Sequence, residues 1–272
     1  MSDIVKLEKL AKSVRRNIIE MTYHAKTGGG HIGGALSSAD IFAALYGDVM
    51  NVAPDKTLDE NRDRFILSKG HVALGYYGVL AECGFISHAE MMTFEDSGSD
   101  FPTHTMMNLS KGIETSSGSL GYGLSIGIGT ALAAKKKGLN YHVYVLLGDG
   151  ESNEGSVWEA VMSAAKIGVD NLTAIVDING QQNDGYTSKV MPIYDIEQVY
   201  KGFGWNTVLI DGHNMNEIIE GLRTRADGKP TVVLAKTLKA KGIKSIEGKE
   251  GWHHARITEG EYELFLKELE ES

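Results

Sequence analysis

The stretch VYVLLGDGESNEGSVWEA, from Val143 to Ala160, begins as an unbroken apolar strand and continues as a helix. Between the two lies Asp149, flanked by Gly148 and Gly150. A buried strand that passes through a glycine turn into a helix is typical of a parallel sheet covered by helices. A carboxylate at the tip of such a strand is unfavourable unless a positive group meets it there. The stretch therefore predicts an α/β fold with a ligand at this turn.

The alternation of strands and helices continues through the C-terminal half of the chain. Strands with β-branched, apolar cores are expected at residues 141–147, 172–178, 205–210 and 231–236. The neighbouring helices are expected at residues 121–137, 154–167, 195–202 and 214–226. This pattern predicts an α/β fold in which a mostly parallel sheet carries helices on both faces. No repeat or linker interrupts the chain, so we expect a single domain over residues 1–272 with N-terminal helical decoration.

The N-terminal part of the chain is predicted to be mainly helical. Apolar residues at helical spacing predict an amphipathic helix over residues 3–25, which the glycine-rich TGGGHIGG interrupts. Ser37 or Ser38 is expected to cap a second helix that extends to about Met50. The segment RFILS predicts a short buried strand. Residues 97–121 form a long polar, glycine-rich stretch without periodicity, which is typical of a binding loop.

Composition and charge narrow the classes of function. The 272 residues are 42% hydrophobic and 23% charged, as in an ordinary globular protein. A net charge of −9 argues against nucleic acid or an anionic membrane as the main partner. The one cysteine, Cys83, leaves neither an internal disulfide nor a CxxC zinc site, which favours a reducing compartment. With no signal peptide or membrane-spanning run in the sequence, we expect a cytoplasmic protein.

Two oxygen-bearing side chains end successive strands of the predicted sheet. Asp149 ends one, and Asn179, in the segment DINGQQNDG, ends the next strand one βαβ unit later. Ligands of an open parallel sheet bind beyond the carboxyl ends of its strands, so the two side chains are expected to approach each other. Their oxygens, with the main-chain carbonyl of Gln181, suit Mg²⁺ or Ca²⁺, and the glycine turn would face a diphosphate. Taken singly, Asp-Gly and Asn-Gly are common turn dipeptides, but their combination favours the cation site.

These motifs resemble those of the transketolase family. GDGESNEGSVWEA followed by DINGQQNDG is similar to the family's thiamine-diphosphate motif, which opens with GDG and closes in an Asn-Gly loop. GGGHIGGALSSADIFAALY, DRFILSKGH and GIETSSGSLGYGLSIGIG resemble the N-terminal transketolase domain in the same order. The resemblance covers essentially the whole chain. It implies the fold of the domain that binds the diphosphate of the cofactor (the PP-type domain).

The resemblance also implies roles for individual residues. Thiamine diphosphate and Mg²⁺ would be the cofactors, with Ca²⁺ or Mn²⁺ as substitutes for the metal. The metal ligands would be Asp149, Asn179 and the carbonyl of Gln181. The residues near the cofactor would be His71, Gly118, Ser119, Leu120, Gly148, Asp149, Gly150, Glu154 and Asn179. The active-site histidines would be His31, His71, His104 and His253.

Two segments differ from the family pattern. Around His104 the chain has PTHTMM where transketolases commonly have Gly-His-Pro-Glu, so the contacts to the sugar are expected to differ. In WHHAR, His254 stands where the family has glycine, and only His253 is expected to face the site.

Three glycines in SLGYGLSIGIG invite a different interpretation. Gly123 and Gly127, with Gly121 before them, could belong to a dinucleotide-binding fingerprint. Their spacing is GxGxxxG and no strand precedes them, so the fingerprint is not met. We expect Gly123, Gly127 and Gly129 to allow close packing of the helix instead.

The resemblance implies one subunit of a split transketolase. Full-length transketolases carry pyrimidine-binding and C-terminal domains after the matched region, and a glutamate of the pyrimidine-binding domain completes the cofactor site. The chain ends at Ser272 and offers no candidate for either domain. We therefore expect it to transfer a two-carbon ketol unit between sugars or sugar phosphates only with a separate C-terminal subunit, as an α₂β₂ assembly.

Three other interpretations share part of this pattern. The α subunit of a 2-oxo-acid dehydrogenase also carries GDG and an Asn loop, and a 1-deoxyxylulose-phosphate synthase resembles this region but is normally one long chain. A non-catalytic module that binds thiamine diphosphate belongs to a different class. The histidines in GGGHIGG, SKGH and WHH favour a transketolase, since sugar hydroxyls need many polar partners.

Overall fold

The computed structural model describes residues 2–25 and 28–272. Its strands are β1 (Arg64–Leu67), β2 (Val143–Gly148), β3 (Leu172–Ile178), β4 (Gln181–Gln182), β5 (Gly185–Tyr186), β6 (Asn206–Asp211) and β7 (Thr231–Lys236). Its α-helices are α1 (Ile4–His24), α2 (Ile32–Ser37), α3 (Ala39–Ala44), α4 (Ala73–Glu82), α5 (His88–Met91), α6 (Gly123–Lys137), α7 (Gly155–Ile167), α8 (Thr187–Val190), α9 (Ile196–Gly202), α10 (Met215–Arg223) and α11 (Glu259–Glu270). Within the described ranges, no helix combines the length and the apolar character needed to cross a membrane.

Five strands form one parallel sheet in the order β1-β2-β3-β7-β6. The predicted α/β fold with a mostly parallel sheet is confirmed, and the predicted strands and helices of the C-terminal half are present. Strand β7 lies between β3 and β6, because the chain first passes to the sheet edge through α9 and then returns through α10. The strands β4 and β5 form a small antiparallel ribbon directly after β3, which the sequence pattern does not predict.

Helical structure after the glycine-rich segment begins earlier than the sequence predicts. Ser38, one of the two expected cap residues, is the N-cap residue of α3, but a separate short helix, α2, precedes it and contains Gly33 and Gly34. Gly33 is needed in this helix because a Cβ there would lie 2.1 Å from the carbonyl oxygen of Trp252. The cap position is therefore confirmed but a side-chain cap is not, because both serine hydroxyls face the Gly34 carbonyl and the Asp177 carboxylate as donors rather than accepting from a helix N–H.

Side chains of the central strands alternate between two apolar cores, one on each face of the sheet. Tyr144 and Leu146 of β2 join residues of α1, α3, α4 and α10 in the first core. Val143, Val145 and Leu147 join residues of α6 and α7 in the second. Because both faces are covered, β2, β3 and β7 are almost wholly buried, while the edge strand β6 keeps exposed residues.

The carboxyl ends of the parallel strands meet at one edge of the sheet. Gly148, the last residue of β2, pairs in register with Asp177, near the end of β3. Asp149 and Asn179 therefore follow at neighbouring positions on this edge, as expected for strand ends in a parallel sheet. The segments that follow β1 and β7 reach the same edge.

The glycines of α6 divide into packed and open positions. A Cβ on Gly127 would lie 2.4 Å from Cγ2 of Val145, and one on Gly123 would lie 2.4 Å from Cβ of Ser68. These two glycines allow the close packing that the sequence suggests. Gly129 does not, because a Cβ there would meet no described atom within 4 Å on this exposed face of the helix.

Gly127→Ala and Gly129→Ala are expected to change stability in opposite directions. At position 127 the methyl group collides with a β-branched side chain of the second core, so the free energy of unfolding should fall by about 1–3 kcal/mol. At position 129 the methyl group has room and alanine is the better helix former, so stability should rise by up to about 1 kcal/mol. Urea unfolding followed by circular dichroism measures both, and equal changes would contradict the assignment of the two helix faces.

Candidate active site

A cavity of about 440 Å³ opens at the carboxyl edge of the sheet. Its walls come from the turns that follow β1, β2, β3 and β7 and from parts of the segments 31–34 and 104–120. The predicted site residues that line it are His31, His71, His104, Gly118, Leu120, Gly148, Asp149, Gly150, Glu154, Asn179, Gln181 and His253. Ser119 is exposed and lies outside this lining. The fold thus brings nearly the whole predicted set together.

Asp149 is held in place by backbone N–H groups. Its Oδ1 accepts a hydrogen bond from Gly150 at 2.8 Å, and its Oδ2 accepts one from Gly180 at 2.7 Å. Burial and the neighbouring carboxylate of Asp177 raise the pKa of Asp149 to about 6. A carboxylate in this setting is stabilised when a cation binds beside it.

Asp177 is fully buried and organises the turn that follows β3. Its carboxylate pairs with Lys69 and accepts a hydrogen bond from the hydroxyl of Thr237. Burial alone would raise the pKa of Asp177, but the Lys69 ammonium holds it below its usual value. The side-chain nitrogen of Asn179 donates to Asp177 at 3.1 Å, while its oxygen accepts from the N–H of Gln181 at 3.1 Å. The orientation of the Asn179 amide is therefore fixed from both sides.

The residues present fit a divalent cation with a diphosphate. A Cβ on Gly150 would lie 2.8 Å from Cβ of Gln182, so the turn beside Asp149 has room for a backbone only. Among the described residues, no cluster of three or more His, Cys, Asp or Glu side chains could hold a metal ion, at this edge or elsewhere, so a cation here would need amide, carbonyl or ligand oxygens beside Asp149. Three side-chain atoms of the cavity lining, Nδ1 of His31, Oδ1 of Asn153 and Oε1 of Gln182, are buried without a hydrogen-bond partner in the described chain. Such atoms are satisfied when a polar ligand binds.

His31 is the centre of a cluster of imidazole rings. Its ring centroid lies 5.3 Å from that of His71, 5.6 Å from His104, 5.3 Å from His253 and 4.6 Å from His254. The four predicted active-site histidines, far apart in the sequence, are thus neighbours in the fold. His253 lines the cavity as expected, whereas His254 is exposed and packs against His31 from outside the lining, a contact that the sequence does not predict.

Burial keeps the imidazoles of the cavity neutral. Burial and the neighbouring histidines lower the pKa of His31 to about 3, and burial with Lys239 lowers the pKa of His253 to about 4. The pKa values of His71 and His104 are also lowered, mainly by burial. A neutral imidazole can donate and accept hydrogen bonds and can exchange a proton. The cluster is therefore suited to hydroxyl and carbonyl groups.

Lys239, in the segment that follows β7, contributes a positive charge to the cavity. It is 2% exposed, and its Nζ lies 3.4 Å from Nδ1 of His253. Burial and the nearby Lys69 lower the pKa of Lys239 to about 8. At neutral pH the ammonium thus remains mainly charged, and an anionic group bound beside it would stabilise that charge.

Sequence reasoning singles out none of Lys69, Asp177 and Lys239. A signal for Lys69 was available, because SKGH places it beside His71 at the end of a predicted strand. A carboxylate inside the apolar run NLTAIVDIN also indicates a buried partner for Asp177. Lys239 is one of several lysines in KTLKAKGIKS, and only the fold distinguishes it from the others.

The segment PTHTMM lies at the rim of the site. Met106 and Met107, which follow His104, are 60% and 61% exposed and do not line the cavity. The N–H of Met107 donates to the hydroxyl of Ser116 at 3.0 Å. This rim is therefore tied to the loop that carries Gly118.

Similar proteins place the chain in a family. The family model for the transketolase, thiamine diphosphate binding domain, matches residues 8–269. The chain is 40% identical over 267 residues to a Phocaeicola vulgatus protein that is named as one of the subunits of apulose-4-phosphate transketolase, and the match covers 97% of this chain and 94% of that protein. It is 38% identical over 268 residues to the 6-deoxy-6-sulfo-D-fructose transketolase subunit SqwG of a Clostridium species, and this match covers 98% of this chain and 97% of that protein.

Solved transketolases share the fold but have longer chains. The transketolase of Campylobacter jejuni matches with a TM-score of 0.88 and 28% identity, over 99% of this chain and 43% of that one. The chain therefore spans less than half of that solved relative, but nearly the whole of the two relatives named as subunits. It follows that the chain belongs to the transketolase family and corresponds to its N-terminal, thiamine-diphosphate-binding subunit.

Proposed function

We propose that the chain acts in the transfer of a two-carbon ketol unit from a ketose or ketose phosphate to an aldose or aldose phosphate. The observation that carries this proposal is one cavity in which a cation-binding edge at Asp149 faces a cluster of neutral histidines around His31. The first feature suits the diphosphate of thiamine diphosphate, and the second suits the hydroxyls of a sugar. Family membership favours this reaction over that of a 2-oxo-acid dehydrogenase α subunit or a non-catalytic module.

The proposed metal is Mg²⁺, with Ca²⁺ or Mn²⁺ able to replace it. Asp149, Asn179 and the carbonyl of Gln181 would hold it through oxygen atoms. The turn at Gly150 would lie against the diphosphate, because a side chain does not fit there. Lys239 would face the remaining negative charge.

Thiamine diphosphate, when bound, supplies the carbon nucleophile for the two-carbon transfer. The protein would orient the cofactor and the substrate and would transfer protons. Gly118 and Leu120 would lie beside the cofactor rings, and His71, His104 and His253 would hold sugar hydroxyls and move protons at the substrate oxygens. Nδ1 of His31 is the strongest candidate for a direct hydrogen bond to substrate, since it is buried without a partner among the described residues.

Catalysis is proposed to require a separate C-terminal subunit in an α₂β₂ assembly. The names of the two relatives aligned over nearly their whole length support this arrangement, since both describe a subunit rather than a whole transketolase. Those names specify apulose-4-phosphate and 6-deoxy-6-sulfo-D-fructose, so a ketose that bears an anionic group is the proposed substrate class. The proposed location is the cytoplasm, since a single cysteine fits a reducing compartment.

The purified chain is expected to show negligible ketol transfer with excess thiamine diphosphate and Mg²⁺. Addition of the C-terminal subunit should restore turnover, because that subunit would complete the cofactor site. A coupled assay of ketol transfer, run with and without the second subunit, measures this. Robust turnover by the pure chain would refute the split arrangement.

Asp149→Ala is expected to weaken Mg²⁺-dependent binding of thiamine diphosphate by more than about 100-fold. Mutation of a residue that only hydrogen-bonds to a metal ligand already lowers metal affinity about 10–100-fold, and loss of the ligand itself should cost more. Association with the C-terminal subunit should be largely unchanged. Calorimetric titration and size-exclusion chromatography measure the two properties. The matched control is Asp170→Ala, which removes a carboxylate beyond the opposite end of β3, where it pairs with Lys135. Tight cofactor binding by Asp149→Ala would exclude the proposed metal ligand.

The free energy of unfolding is expected to fall as the pH is lowered from about 6.5 to about 4. In this range the folded protein keeps His31 and His253 neutral, while the unfolded chain takes up protons on both, so acid favours unfolding. His31→Gln should therefore give a shallower dependence on pH in urea unfolding. His142→Gln is the control, because burial lowers the pKa of His142 to about 3 as well, but at the opposite edge of the sheet. Both variants should flatten the curve, and only His31→Gln should impair turnover.

A further inference from the structure

Glu151, two residues after Asp149, is a buried carboxylate that receives hydrogen bonds from three separate segments. It is 3% exposed. Its Oε1 accepts from the hydroxyl of Ser68 and from the N–H of Gly121 at 2.9 Å. Its Oε2 accepts from the N–H of Gly148 at 3.0 Å. One side chain therefore uses both oxygens to join parts of the chain that are far apart in sequence.

Each donor lies next to a residue of the candidate site. Ser68 follows β1 and precedes Lys69, which pairs with the buried carboxylate of Asp177. The second donor follows Leu120, which lines the cavity. The third is the last residue of β2 and precedes Asp149. The three segments thus carry Lys69 of the ion pair, Leu120 beside the proposed position of the cofactor rings, and Asp149 of the proposed cation site.

The three segments are packed as closely as a core. Gly121 has a φ of +83°, and a Cβ on it would lie 2.4 Å from the hydroxyl oxygen of Ser156. A Cβ on Gly123 would lie 2.4 Å from Cβ of Ser68. Backbone N–H groups held this closely have no other acceptor from the described chain within reach, so they depend on the Glu151 carboxylate, which itself borders the cavity.

We propose that Glu151 is a positioning residue that fixes these three segments relative to one another and thereby sets the affinity for thiamine diphosphate. This role deepens the proposed function and depends on it. The carboxylate acts through Leu120 and Asp149, which would face the cofactor, and needs no part in the reaction itself.

To accept hydrogen bonds from both Gly121 and Gly148, the side chain at position 151 needs two acceptor oxygens. A glutamine of the same shape has one acceptor oxygen and one donor nitrogen. Whichever way its amide is turned, either Gly148 or Gly121 would place its N–H against another N–H. Glu151→Gln should therefore release at least one of the two turns, although it barely changes the volume.

The test compares Glu151→Gln with Asp63→Asn in the full chain. Asp63 is also a buried carboxylate with two backbone donors, Asn51 at 2.8 Å and His142 at 2.7 Å, but it lies at the opposite end of the sheet. Both variants lose a charge and an acceptor, so both should lower the melting temperature. Three properties are measured: site-resolved amide hydrogen exchange, calorimetric binding of thiamine diphosphate with Mg²⁺, and cofactor KM and kcat with the C-terminal subunit present.

Glu151→Gln is expected to speed exchange at Gly121 or Gly148 and to raise the dissociation constant and KM for the cofactor about tenfold or more, with kcat at saturation little changed. Asp63→Asn should leave cofactor binding within about twofold of the wild type. A merely structural role would lower kcat through loss of active protein and leave KM unchanged, which would overturn the proposal. Unchanged exchange at both glycines would overturn it as well.

Ser68→Ala keeps the test decisive if Glu151→Gln fails to fold. It removes one of the three donors and leaves both oxygens of Glu151 bound to backbone, so a smaller rise in the cofactor dissociation constant is expected. No rise at all would overturn the proposal. A wild-type chain that binds no thiamine diphosphate would refute the proposed function, while the exchange measurement would still decide whether Glu151 holds the three segments.

Discussion

Lys69 and Asp177 form a buried ion pair beneath the carboxyl edge of the sheet, and the rest of the site is arranged around it. The two residues are 1% and 0% exposed. Charges are tolerated at such depth only when they are paired and hydrogen-bonded, because an isolated buried charge is strongly unfavourable. The remaining capacity of Asp177 is taken up by hydroxyls from α2 and from the turn after β7, and by the amide of Asn179. One carboxylate thus connects four parts of the fold and orients a candidate metal ligand.

The strands and helices could be predicted because their patterns are local, whereas the order of the strands could not. The runs NTVLID and TVVLAK both read as buried strands, and nothing in them states which one lies beside β3. Strands buried on both faces carry little information about their neighbours. The presence of α2 cannot be predicted either, for a related reason. Gly33 is present because of its distant contact with Trp252, which local helix propensity does not register.

The chemistry of the site could be predicted better than its geometry. GDG and DING mark strand ends in the sequence, so Asp149 and Asn179 follow from the pattern itself, while the roles of the histidines follow only from family resemblance. The groups that hold these residues in place leave no such local pattern. Asp177 and Glu151 each depend on partners that lie far away in the sequence, at the end of β1. Their roles exist only once the sheet has brought these segments together.

The close packing around the cavity also divides the site into parts that differ in their tolerance of mutation. A Cβ on Gly70, which lies between the lining residues Lys69 and His71, would lie 2.2 Å from the hydroxyl oxygen of Ser117, so a larger side chain at this position would force the backbone to move. Met106 and Met107 have free space around them at the rim. Directed evolution of the sugar preference should therefore find its accessible variants in the rim segment, where new side chains can be explored while the binding site for the cofactor keeps its shape.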